Sequence, residues 1–317
     1  MNHFCRLFVF AASTFTALAF AGHPDHLWTN DASAYRSYEV LKVKSDYSST
    51  SEGLAPLRFT DEYLIESLKS LTGVRDPVLA NRGSAAGRAA AREFMRKEFE
   101  TLGFRVSEHS YGSGTNLIAE KAGKSGKFLI VSAHYDSVNN AGADDDGTGV
   151  IAMLGTARLL RNANLKHGLR FVAFDQEEIG LVGSRAYVKD LVAKGEKSII
   201  LGDLQMEMMG YNARKDGKFH VISCKRKDSE FLVDAFVAAV RNANNGLVIS
   251  TACTDRSDHD SFWKNGIPAI VISENFFGGD SNPCYHAKCD TIDKMHTDYF
   301  TKVAEVAASS VRALVTE

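Results

Sequence analysis

Carboxylates and imidazoles gather in short clusters along this chain: His134 with Asp136, the run Asp144-Asp145-Asp146, the pair Glu177-Glu178, Glu207 between two methionines, and His286. Imidazole nitrogens and carboxylate oxygens are the donors that hard and borderline cations take. Adjacent glutamates can divide the work, one facing a metal while its neighbour moves protons at a substrate. At strand spacing His134 and Asp136 point to the same side, so the carboxylate can hold the imidazole. Glu207 lies in an apolar stretch, where an acid is costly unless something compensates it.

Each cluster also has a plainer reading. The aspartate run could be a solvated turn, although it lacks the alternating acids of a calcium loop. The other two, Asp145 and Asp146, suit a structural or helix-capping role, which leaves Asp144 as the ligand. Glu177 and Glu178 alone would fit the first turn of a helix, where acids are favoured. Glu207 could pair with a buried Lys or Arg, and His286 could be an ordinary loop histidine. Met206, Met208 and Met209 read as core packing.

The elements that must position these residues decide between the readings. Residues 128–133 are apolar apart from Ser132, as in a strand buried on both faces. Strands are also predicted at 104–109, 115–120, 169–174, within 198–209, at 220–223 and at 267–273. Helical spacing covers 61–71, 85–102, 149–160, 181–193, 231–243 and 299–315. This alternation predicts an α/β fold: a mainly parallel mixed sheet flanked by helices on both faces. Four strand ends then deliver His, Asp or Glu to one sheet edge, where open α/β sheets bind ligands.

The chain has 317 residues, enough for a large core, with 44% hydrophobic and 24% charged residues. A formal net charge of -2 and the lack of a basic run argue against a nucleic-acid partner. Residues 1–21 carry one cationic residue, an apolar run and the small-residue pattern Ala19-Phe20-Ala21, as in a secretory signal peptide. The apolar run is short of the roughly 20 residues a spanning helix needs, so no membrane attachment is expected after cleavage. Residues 22–75 read as an N-terminal extension or pro-segment and 76–317 as one catalytic domain. Export, to the periplasm or the medium, favours disulfides among Cys224, Cys253, Cys284 and Cys289. Cys284 and Cys289 are close and bracket the His286 loop, so they are paired first. Cys224 with Cys253 follows by elimination.

The segments HYDS at His134, GADDDGTG at Gly142, EE at Glu177, QMEMMGY around Glu207, RSDHDSF at Arg256 and CYHAKCDTID at Cys284 resemble those of the secreted two-zinc aminopeptidases. That family is related to glutamate carboxypeptidases and to the one-zinc glutaminyl cyclases. The resemblance runs from about residue 81 to the C-terminus and implies the zinc-peptidase (phosphorylase/hydrolase-like) architecture and two zinc ions per chain. It implies that Asp144 bridges the metals, with His134 and Glu207 on one and Glu178 and His286 on the other. Glu177 would be the general base, Asp136 would orient His134, and Tyr285 would help stabilise the oxyanion. Arg256 matches an arginine near the substrate's N-terminal end. Glu207 departs from the family's usual aspartate. The activity implied is hydrolysis of the N-terminal peptide bond of peptides with a free amino terminus. A one-zinc glutaminyl cyclase, a carboxypeptidase on the same scaffold and a non-catalytic binding module are the alternatives.

Overall fold

Seven helices and eight strands are found in a computed structural model that describes residues 55–59 and 62–316. The expected signal peptide at 1–21, and residues 22–54 of the expected extension, lie outside the described residues. The strands are β1 (Arg105–Tyr111), β2 (Gly114–Lys121), β3 (Phe128–His134), β4 (Gly168–Phe174), β5 (Ile200–Met206), β6 (Lys218–Ile222), β7 (Val248–Ser250) and β8 (Ala269–Glu274). The helices are α1 (Tyr63–Leu71), α2 (Ala85–Thr101), α3 (Gly149–Leu160), α4 (Val182–Ala193), α5 (Glu230–Ala243), α6 (His259–Lys264) and α7 (Thr297–Val315). The short elements β7 and α6 carry too few residues for a periodic signal, and the sequence reading leaves them out.

All eight strands form one sheet in the order β1-β2-β4-β3-β5-β8-β6-β7. The central strands β4, β3, β5 and β8 run parallel, so their carboxyl ends share one edge. β1, β2 and β4 pair antiparallel, and so do β6 and β8. From β3 the chain crosses to β4 on one side, then returns past β3 to β5 on the other. Such a reversal of winding opens a crevice above the strand ends.

Strand periodicity splits the core. Leu129, Val131 and Ala133 of β3 face a large cluster that also takes side chains from α1, α2, α3, α5 and α7. Ile130 faces the opposite layer, with Tyr187, Val188 and Leu191 of α4 and Phe262 of α6. Helix α3 buries nearly its whole circumference, which fits a sequence apolar all round. Leu64, Leu68 and Leu71 dock α1 into the main core, each worth roughly 1.5–3 kcal/mol of burial. Residues 55–59 are pinned to α7, where the Leu57 N–H donates to Ser309 Oγ at 3.0 Å and the Phe59 N–H to Glu305 Oε1 at 3.0 Å. No helix among the described residues is long and apolar enough to cross a membrane.

Candidate metal centre

His134 closes β3, Glu177 and Glu178 follow β4, Glu207 follows β5, and the loop after β8 carries His286. The shared sheet edge therefore brings together donors that lie up to 152 positions apart in the chain (286 − 134). Two groups of donor atoms result, each within 4.8 Å: His134, Asp146 and Glu207, and Asp145, Glu178 and His286.

Asp145 joins the two groups. Its Oδ1 lies 3.2 Å from His134 Nε2 and its Oδ2 3.3 Å from His286 Nε2. Glu207 Oε1 is 3.4 Å from the same nitrogen of His134, and Glu178 Oε2 is 3.0 Å from His286 Nε2. Asp146, although close to His134 and Glu207, spends both oxygens on backbone N–H groups. Oδ1 accepts from Gly149 and Met208 at 3.0 Å each, and Oδ2 from His134 at 3.2 Å. It braces the start of α3, and Gly149 leaves it room, since a Cβ there would come within 2.3 Å of the carboxylate.

The expected bridging residue Asp144 does not face the donors. It points away into a buried polar pocket, where it accepts hydrogen bonds from the Gly210 N–H at 2.8 Å and Asn282 Nδ2 at 2.9 Å. The physical reason is local. Asp145 and Asp146 leave helical torsions (φ -99°, ψ 95° and φ -117°, ψ 49°), so three consecutive carboxylates diverge in three directions. Asp145, set aside as structural in the sequence reading, takes the central position.

The loops are held from behind. Asp136 accepts the N–H groups of Glu177 at 3.0 Å and Glu178 at 3.3 Å, and its Oδ1 is 3.5 Å from His134 Nδ1. Glu207 Oε2 accepts from Ser257 Oγ at 2.7 Å and Gln205 Nε2 at 2.9 Å, which leaves Oε1 turned toward His134. The longer side chain thus reaches the donor group that an aspartate would serve in the resembling enzymes. Asp290 accepts the N–H groups of Asp144 at 2.9 Å and Asp145 at 3.1 Å, and fixes the acidic run against the His286 loop. Arg82, wholly buried, donates to the carbonyls of Tyr135 at 2.8 Å and Gly142 at 2.8 Å and so shapes the loop between them.

His286 sits at φ 55°, in a tight turn closed by the Ala287 N–H to Cys284 O bond at 2.9 Å and by the Cys284–Cys289 disulfide. Tyr285 stacks on His286 with ring centroids 3.8 Å apart. A second disulfide joins Cys224 and Cys253, so both expected pairings are present. Arg256 is half-buried on the loop before α6, one residue before Ser257, whose hydroxyl bonds the Glu207 carboxylate.

Electrostatics mark the centre as built for positive charge. Burial alone would lower His134, but the Glu207 and Glu177 carboxylates outweigh it and hold the imidazole well above its ordinary value. His286, also opposed by burial, is held up at about 10 by Asp145 and Glu178. Burial pushes Glu177 well above the usual carboxylate range and Glu178 to about 7, the latter helped by the Asp145 charge. Burial, and then the surrounding carboxylates, keep the Tyr285 phenol protonated and able to donate. Asp258 lies fully buried in the same field, and burial raises it to about 7. Asp145 Oδ2 is buried without a hydrogen-bond partner. An orphaned carboxylate oxygen among two imidazoles and two further carboxylates fits a cation, and the mixed nitrogen and oxygen donor set fits zinc.

Sequence reasoning missed the structural parts played by Arg82, Glu274, Asn282 and Asp290. Only Asp290 left a signal, since it follows Cys289 within the motif that carries His286.

Peptidase family M28 matches residues 116–311. Leupeptin-inactivating enzyme 1 of Streptomyces exfoliatus is 30% identical over 266 residues, covering 75% of this chain. This chain spans 59% of the length of that relative. Among solved structures, the LapA aminopeptidase of Legionella pneumophila superposes with a TM-score of 0.70 at 22% identity, over 81% of this chain and 72% of that one. BSAP, a zinc aminopeptidase from Bacillus subtilis, gives a TM-score of 0.59 at 26% identity, over 64% of this chain and 50% of that one.

Proposed function

The chain belongs to peptidase family M28, and from that premise we propose that it is an exported zinc aminopeptidase that releases residues from the free N-terminus of peptides. The observation that carries the reading is Asp145, set between His134 with Glu207 on one side and Glu178 with His286 on the other. Such a set would hold two zinc ions, one shared carboxylate between them. When bound, the ions would supply polarisation of the scissile carbonyl and acidification of a water.

The protein's own residues do the rest. Glu177, beside the donors and partly exposed, takes a proton from water and returns it to the leaving amine. Asp136 fixes the turn that carries Glu177 and Glu178 and faces the far nitrogen of His134, as carboxylates behind metal-bound imidazoles do. Tyr285 offers its hydroxyl proton to charge developing on the carbonyl oxygen. Arg256 stands as the candidate for contact near the substrate's amino end. Two disulfides and the signal pattern at 1–21 support a secreted or periplasmic site of action.

The test is zinc content of the purified protein together with chromophore release from aminoacyl anilides before and after chelation. Two zinc per chain and chelator-sensitive release are expected. Glu177→Gln should keep its zinc and lose about 10²–10⁴-fold in kcat. One zinc with no release, or full activity in the Glu177 variant, would sink the assignment.

A further inference from the structure

Behind the metal donors lies a second pair of acids that no step above uses. Glu274 ends β8, Asp144 opens the acidic run, and both are completely buried. Asn282 joins them, its N–H donating to Glu274 at 3.2 Å and its side-chain amide to Asp144 at 2.9 Å.

The partners of the pair show what it connects. Glu274 accepts the Tyr211 N–H at 2.7 Å and the Asn282 N–H at 3.2 Å, and its own N–H donates to Met208 O at 2.7 Å. Asp144 accepts the Gly210 N–H, Asn282 Nδ2 and, at 3.2 Å, Thr148 Oγ1. Glu274 and Asp144 therefore tie together three segments: the acidic run carrying Asp145, the loop just after Glu207, and the loop leading to His286. These segments supply donors to both metal groups.

We propose that Glu274 is a positioning residue for the metal centre: its buried carboxylate, bonded to Tyr211 and to Asn282, which in turn holds Asp144, sets the spacing of the Asp145, Glu207 and His286 donors. The inference rests on the two-zinc reading above. Zinc takes oxygen donors at about 2.0–2.2 Å, so a shift of a few tenths of an ångström in one segment is felt as lost affinity. Deleting an outer partner of this kind costs roughly 10–100-fold in metal affinity or activity.

The experiment compares the full-length wild type with Glu274→Ala, Glu274→Gln and Asn282→Ala. Each is measured for zinc retention against a competing chelator, kcat and KM on an aminoacyl anilide, the visible spectrum after cobalt loading, and Tm. Glu274→Ala is expected to weaken one zinc by about 10–100-fold, shift the cobalt bands and lower kcat with KM little changed. Glu274→Gln keeps the side chain's size and an acceptor oxygen for the Tyr211 and Asn282 N–H groups and should recover most of that loss. Asn282→Ala removes one neutral donor from the same pair and should fall between them; it carries the test if Glu274→Ala does not fold. Wild-type zinc retention and cobalt bands in both alanine variants overturn the proposal. So does a loss that follows Tm alone with unchanged cobalt bands, or equal loss in the Gln and Ala variants. A wild type without zinc sinks the functional reading and this proposal together, whereas wild-type zinc in the alanine variants sinks the proposal alone.

Discussion

Asp145 presents one oxygen to His134 and the other to His286, whereas its neighbour Asp144 turns into a pocket closed by Gly210 and Asn282. Replacing Asp145 by Asn removes a charge shared by both donor groups. Its expected cost in zinc affinity exceeds the roughly 10–100-fold that loss of an outer partner carries. Asp144→Asn keeps the size and hydrogen-bonding capacity of the side chain and should lose less. Chelator competition on the two variants decides the matter, and the reverse order would return the bridging role to Asp144. Residue types made the acidic run legible as metal-binding, and strand ends made His134, Glu178, Glu207 and His286 legible as its companions. Which aspartate of three faces the centre depends on torsions at Asp145 and Asp146, and no periodicity encodes those. Buried braces such as Arg82 and Glu274 were silent for a related reason, since their partners are backbone groups that any residue supplies.

At the scale of elements, the parallel strands β3, β4, β5 and β8 could be read because each is a short apolar run ending in polar residues. The sheet order could not, because β6 inserts antiparallel beside β8 and β7 offers only Val248–Ser250 to declare itself. The two disulfides act on different elements and should separate experimentally. Cys224–Cys253 spans 29 positions and ties the segment after β6 to the loop that carries Arg256. Chain entropy alone assigns it about 3.5 kcal/mol, against about 2 kcal/mol for Cys284–Cys289 with its separation of 5. Replacing the first pair by serines should therefore lower the urea midpoint more. Replacing the second should lower stability less yet release zinc more readily, because His286 sits inside that small loop at a left-handed torsion. Equal zinc retention in the two double variants would deny the His286 loop this dependence.

For the whole molecule, acid sensitivity follows from histidines of opposite character. Burial pushes His220 and His259 down to about 4. Burial holds each neutral: His220 Nε2 accepts the Phe277 N–H at 3.1 Å, which suits the uncharged ring, whereas His259 Nε2 donates to Thr254 O at 2.9 Å, a bond that opposes the burial without cancelling it. Above the ordinary histidine pKa of about 6.5 neither ring is charged in either state, and neither contributes. Between about 6.5 and 4 the unfolded chain binds protons at these rings that the folded chain refuses, so stability falls as pH falls. A displacement of that size corresponds to on the order of 3 kcal/mol per ring once the pH is below both values. His286 works in the other sense in the metal-free chain. Held at about 10, it contributes fully below about 6.5 and loses that contribution as pH rises through 10. Comparing wild type with His220→Gln in chelator cancels the His286 part, since the variant leaves that site untouched. Urea unfolding at pH 7 and pH 5 should then give a smaller acid loss in the variant than in the wild type. Equal losses would mean that His220 takes up a proton in the folded protein, and that its burial does not hold it neutral.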